Sequence, residues 1–386
     1  MKRTVAIAAL AIACTKKTPP PPEPVVDAAV ASARPAPSAS ASTAIAADAA
    51  APAAERPQTL AEILEEAKPP VPDENRVEPV VRIDTAKGAL VLWTLPDGDK
   101  TMIVAALGSG STKIIRRTSG EVTELRAVER SDGELAIAWS SRLTDGHVAA
   151  VTFASADLAR LSSPIQLALG GTMDGHVALV KSPRGGVVVA YAGPPAKCAF
   201  MGHSETCVTG EVKAISADGT SEILGTIKVD GGASPDLWLV PLETRGVLAY
   251  VSSMRGGRTI TSSTLPWSTK ETAITFEAPT CGGLAGIVPD ILRGSAGEVV
   301  CLDIDARYGA KLEHCLHAVK DDRERCLRIG VSGTDGTPIT PKNAWDTPVT
   351  RIDCVGKNAR LSFPGGTVTL ATPSSHLGDF MKNTCK

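Results

Sequence analysis

One hairpin pattern recurs along this chain and limits what it can fold into. Its clearest copy is HVALVKSPRGGVVVAYA (residues 176–192): a short strand, a glycine turn, then an uninterrupted apolar strand. Five more segments align on the same turn: VVRIDTAKGALVLWTL (80–95), LRAVERSDGELAIAWS (125–140), LWLVPLETRGVLAYVS (237–252), IVPDILRGSAGEVVCLDI (287–304) and VTRIDCVGKNARLSF (349–363). The turn glycines, Gly88, Gly133, Gly186, Gly246, Gly297 and Gly356, stand 45, 53, 60, 51 and 59 residues apart. A period of this length accommodates four short strands with their loops.

The two strands of each unit differ. The first alternates, as in Val81-Arg82-Ile83-Asp84, the mark of a half-exposed strand. The second is continuously apolar, as over 187–192, which requires cover on both faces. In the sixth unit Ala359-Arg360-Leu361-Ser362-Phe363 alternates instead. Third strands are expected over 102–107, 148–153, 207–215, 258–264, 312–319 and 367–371. Fourth strands are expected over 113–117, 165–169, 222–227, 272–276 and 325–331. The pattern resembles six-bladed β-propellers over residues 79–386, with first strands lining a channel and second strands walled in between neighbouring blades. A pair of β-sandwich domains would show similar short strands and turns.

The first 13 residues carry Lys2 and Arg3 ahead of an apolar run at 5–13 that is too short to span a bilayer, so they read as a signal peptide. Ala11-Ile12-Ala13-Cys14 resembles a bacterial lipobox. That resemblance implies cleavage before Cys14, acylation of Cys14 and a stable anchor in the lipid bilayer. Ordinary cleavage at the same site would leave Cys14 free and the chain secreted or periplasmic. Residues 14–57 are Pro, Ala and Ser with few large apolar side chains, a composition that stays disordered. Fully extended, this tether would reach roughly 130 Å. Residues 58–78 hold a short helix candidate, TLAEILEEA, ended by prolines. The expected location is the bacterial outer membrane, lipid-anchored. The formal net charge of −2 gives no reason to expect nucleic acid.

Eight cysteines remain besides Cys14. In an exported chain these are expected to oxidise. Spacing favours sequential pairs, Cys198–Cys207, Cys281–Cys301, Cys315–Cys326 and Cys354–Cys385, with Cys198 and Cys207 flanking a loop. No Cys-x-x-Cys spacing suggests a metal site, and no cofactor motif is present.

Two Asp-Gly-His triplets, Asp145-Gly146-His147 and Asp174-Gly175-His176, each precede a Val-Ala strand start. In a propeller the loops that carry them open on one face, together with His203 and Glu205. This groups Asp145, His147, Asp174, His176 and His203 as a candidate ligand face, since imidazole and carboxylate together bind ligands or move protons. Asp-Gly is equally the ordinary hairpin turn signal. With no catalytic fingerprint, the expectation is a surface-tethered, non-enzymatic protein that binds a protein or glycan. The alternatives are a propeller hydrolase or lyase with a site over the channel, and a structural subunit of an envelope assembly.

Overall fold

The computed structural model describes residues 79–381, except 145, 170–175, 201–202, 229–235, 254–258, 273, 280–288, 306–314, 321–322, 342–346, 356–357 and 372–373. The expected signal peptide, tether and short helix, all before residue 79, lie outside the described residues. What is described is nearly all β: six antiparallel sheets that follow one another along the chain.

Sheet 1 contains β1 (Val81–Thr85), β2 (Gly88–Asp97), β3 (Lys100–Leu107) and β4 (Lys113–Ser119). Sheet 2 contains β5 (Glu121–Glu129), β6 (Leu135–Leu143), β7 (Gly146–Ala154) and β8 (Ile165–Leu169). Sheet 3 contains β9 (Val177–Lys181), β10 (Val187–Phe200), β11 (His203–Ile215) and β12 (Ser221–Lys228). Sheet 4 has β13 (Asp236–Pro241), β14 (Val247–Ser253) and β15 (Thr259–Leu265). Sheet 5 has β16 (Asp290–Arg293), β17 (Val299–Asp305), β18 (His317–Lys320) and β19 (Arg323–Ser332). Sheet 6 has β20 (Arg351–Val355), β21 (Asn358–Phe363) and β22 (Gly366–Thr369).

The apolar second strands divide their side chains between two neighbours. In β10, Val187, Val189 and Tyr191 pack with Ala136, Ala138 and Val151 of sheet 2. The intervening Val188 and Ala190 pack with Val247, Ala249 and Val251 of sheet 4. In β17, Val299 and Cys301 face sheet 4, whereas Val300, Leu302 and Ile304 face sheet 6. A strand buried on both faces has no use for polar alternation, which is why these runs are unbroken. The first strands β1, β5, β9, β13 and β16 touch one another in series, so they are innermost. This is the β-propeller arrangement.

Sheet 6 is attached differently. Ala359, Leu361 and Phe363 pack against sheet 5, while Arg360 on the other face is exposed; this is the alternation read in the sequence. After β22, the Ala371 amide donates to the Arg293 carbonyl (2.9 Å), and the Ser295 amide donates to Thr369 (2.7 Å). Ahead of β20, the Val349 amide donates to Leu327 (2.8 Å), and the Ile329 amide donates to Thr347 (3.0 Å). Its third strand therefore lies by the innermost turn of sheet 5, and its first strand begins beside the outer strands.

Three expectations about strands are corrected. The stretch 312–319 was expected as the third strand of sheet 5 and 325–331 as the fourth, but β19 pairs with β17 and β18 lies at the edge. That order seats Leu327, Ile329 and Val331 in the core, which the short β18 could not match. Among the described residues of 272–276 no strand forms; Ile274 and Phe276 instead fill the space between sheets 4 and 5 without a ladder partner. The expected loop between Cys198 and Cys207 is instead a continuation of β10 and β11, with Cys198 opposite Glu205 and Ala196 opposite Cys207.

Cys315 and Cys326 form a disulfide across the β18–β19 hairpin, with Cα atoms 5.8 Å apart. By the chain-entropy argument a loop this short contributes about 2–3 kcal/mol. Cys301 and Cys354 are also disulfide-bonded; Cys281 and Cys385, expected to complete them, lie outside the described residues.

Candidate functional site

Polar groups gather where the first strands begin. Glu124 lies in β5, His176 immediately precedes β9, and Asp236 opens β13, so three successive sheets supply them. His176 Nδ1 is 2.6 Å from Glu124 Oε2, and its Nε2 is 3.9 Å from Asp236 Oδ1. Arg126 pairs with the same Glu124. Burial works against a charge on His176, but the hydrogen bond and charge of Glu124, helped by Asp236, outweigh it and raise its pKa. Burial likewise opposes ionisation of Glu124, yet His176, Arg126 and the Val177 amide hold its pKa below the ordinary value. The result is an ion-paired clasp between sheets 2 and 3 that leans on sheet 4. Among the described residues it forms no metal-holding group.

His147, expected on an open ligand face, is completely buried in β7. Its Nε2 donates to the Ala192 carbonyl at 3.2 Å, and the Ala192 amide donates to the His176 carbonyl at 3.3 Å. The two histidines thus fasten the same residue of β10, one at its carbonyl and one at its amide, but His147 is closed to solvent because its strand is covered by both neighbouring sheets. Asp145 and Asp174 lie outside the described residues. His203 opens β11 opposite Phe200; its side chain, like that of Glu205, lies outside the described residues. At the start of β16, Asp290 accepts from Ser374 Oγ and the His376 amide, so this entrance too is capped.

The other end of the strands is open. A cleft of about 580 Å³ separates the turns of sheets 2 and 3, bounded by Glu134, Phe153, Ser155, Arg160, Leu161 and Asp218, among others. Its floor is firm. The buried Arg130 stacks 4.7 Å over the Phe153 ring and pairs with Asp132 and Glu134. Its rim is free to adapt, since the Arg160 side chain is 84% exposed and only loosely paired with Glu134 at 3.9 Å. Leu161 is 41% exposed.

Two short turns shape this rim. Ser155 Oγ donates to Asp157 Oδ1 (2.6 Å), which also accepts from the Ala159 amide (3.0 Å). In the next sheet Ser216 Oγ and the Thr220 amide donate to Asp218 in the same way. These hydrogen bonds lower the pKa of Asp157, and that of Asp218 to about 2. The signal is in the sequence as Ser-Ala-Asp at 155–157 and again at 216–218, where Ser216-Ala217-Asp218-Gly219-Thr220 approximates an aspartate box; both lie after third strands and not at the first turn on which the repeat aligns.

No family model matches this chain, and no curated protein matches it. Among solved structures it is similar to an Aleuria aurantia lectin in complex with α-methyl-L-fucoside, at 10% identity and a TM-score of 0.36, covering 77% of this chain and 96% of that one. A GH43 β-xylosidase/α-arabinofuranosidase from a compost microbial metagenome aligns at 10% identity and a TM-score of 0.32, covering 68% of this chain and 93% of that one. A mannose phosphorylase from Leishmania mexicana aligns at 13% identity and a TM-score of 0.27, covering 62% and 79%. No family and no activity follow from likeness at this level.

Proposed function

We propose that this chain is a lipid-tethered, non-enzymatic binding protein of the bacterial envelope, and that its ligand is a glycan seated in the cleft between sheets 2 and 3. The cleft carries the reading. Its boundary mixes serine hydroxyls, charges of both signs and an apolar patch around Leu161 and Phe153, and a sugar offers hydroxyls and C–H faces to match. A few placed polar groups on an apolar floor are the usual make-up of a small-ligand site.

A glycan array probed with the full chain tests this. Arg160→Ala removes a charged donor from the rim and is expected to weaken the best binder by roughly 10- to 100-fold, from the 1.5–3 kcal/mol of a charge-assisted hydrogen bond. Unchanged affinity in both Arg160→Ala and Leu161→Trp would place the ligand elsewhere. The anchor rests on Cys14 and the tether behind it. Cys14→Ser is expected to move the protein from the membrane to the soluble fraction of a bacterial host, because losing the acyl chains leaves nothing to hold it; unchanged membrane association would refute the anchor.

One arrangement favours a hydrolase as second reading: the His176 imidazole stands between Glu124 and Asp236, as a proton-transfer group would. Hydrolysis of an array glycan, lost in His176→Ala while binding persists, would select it.

A further inference from the structure

We infer that the cleft between sheets 3 and 4 is the same site one repeat further on, so that the chain carries two equivalent glycan sites on one face and grips a repeating polysaccharide through both. The inference rests on the binding reading above and extends it from one site to two.

Topology makes the case. The first cleft is built from three parts: the turn between the first two strands of sheet 2, the end of β7 with the loop to β8, and the β11–β12 turn of the next sheet. The second uses the same parts moved on by one sheet: the β9–β10 turn, the end of β11 with the β11–β12 turn, and residues 267–270 just after β15. The correspondence reaches single side chains. Ser155 lines the first cleft and Ser216 the second, each at the first position after its third strand, and each donates its hydroxyl to the aspartate two residues on. Each cleft also has an exposed arginine at its border, drawn from different parts of the repeat: Arg160 from the β7–β8 loop in one, and Arg184 from the β9–β10 turn, paired with Glu271 at 2.8 Å, in the other.

The sizes differ for a local reason. The second cleft holds about 320 Å³ against about 580 Å³ for the first. Ten residues join β7 to β8, whereas five join β11 to β12, so the shorter turn draws the walls together. The second site therefore fits a smaller portion of the same polymer. Since the β11–β12 turn borders both clefts, a chain that leaves one passes directly to the other.

The test uses soluble dextran, mannan and galactan with the full chain, by calorimetric titration and by turbidity. Two variants each fill one cleft from an exposed position: Leu161→Trp in the first and Ser221→Trp in the second. For a polysaccharide that binds, the expected result is two sites per chain, one site in either variant and none in the double variant. Affinity for the polymer should fall by roughly 100-fold in each single variant through lost avidity, with turbidity from cross-linking lost as well. One site per chain, abolished by Leu161→Trp and untouched by Ser221→Trp, would overturn the second site and leave the first standing. Polymer binding untouched by both variants would overturn the cleft assignment itself, and failure of all three polysaccharides to bind would overturn the repeating neutral glycan as the ligand.

Discussion

Gly186→Ala is expected to destabilise the protein by about 2–5 kcal/mol, while Gly133→Ala, at the matching turn one sheet earlier, costs only about 1 kcal/mol. Both glycines have left-handed backbone, with φ of +72° at Gly186 and +79° at Gly133, so both substitutions strain the turn. They differ in what a methyl group would meet. At Gly186 a Cβ would stand 2.1 Å from the Ile215 carbonyl oxygen and 2.7 Å from the Ser216 Cα, whereas at Gly133 nothing lies within 4 Å. Those obstructing atoms are backbone at the end of β11, fixed by the ladder to β10, and cannot swing aside as a side chain would. Urea unfolding of the two variants side by side gives the comparison. Equal losses would show that backbone conformation alone makes these turns require glycine, and that the close approach of the third strand is unimportant.

That glycine also shows what was legible in the sequence. Residues 187–192 announced a strand covered on both faces, and the alternating 359–363 announced a strand covered on one; both hold because side-chain burial leaves a direct imprint on residue type. Hydrogen-bond partners leave a fainter one. Ile274 and Phe276 alternate as a strand would, and their side chains are indeed inside, but nothing in that spacing says whether the backbone has a neighbour to pair with. The order of β18 and β19 was hidden for the same reason, since either could follow β17 by pattern alone. The two Asp-Gly-His triplets diverge most. His147 falls within β7 and is sealed between sheets, whereas His176 falls at the start of an innermost strand and meets a carboxylate 52 residues earlier in the chain. No local pattern carries a partner that distant, so Glu124 and Asp236 were not legible beforehand.

The clasp around His176 should make stability depend on pH in a definite direction. The His176 pKa is raised above its ordinary 6.5; its contribution is therefore complete below that value and is lost as pH rises through the folded pKa. The Glu124 pKa is lowered beneath its ordinary 4.5; its contribution is complete above that value and is lost as pH falls through the folded pKa. Both are in force together between pH 4.5 and 6.5. Within that window Glu124→Ala is expected to cost about 2–4 kcal/mol, slightly under the range for a fully buried pair because His176 retains some exposure. The loss is large because it leaves Arg126 and a protonated His176 facing each other with only the more distant Asp236 to offset them. His176→Gln, which keeps a hydrogen-bond donor but no charge, should cost about 1–2 kcal/mol at pH 5.5, and the difference from the parent should narrow as pH rises through the folded pKa of His176 and its imidazole loses the charge. Urea midpoints of the parent and both variants at pH 5.5, 7.5 and 9 decide the matter. A gap between parent and His176→Gln that stays constant across those three values would mean that packing, and not the ion pair, joins the sheets at this point.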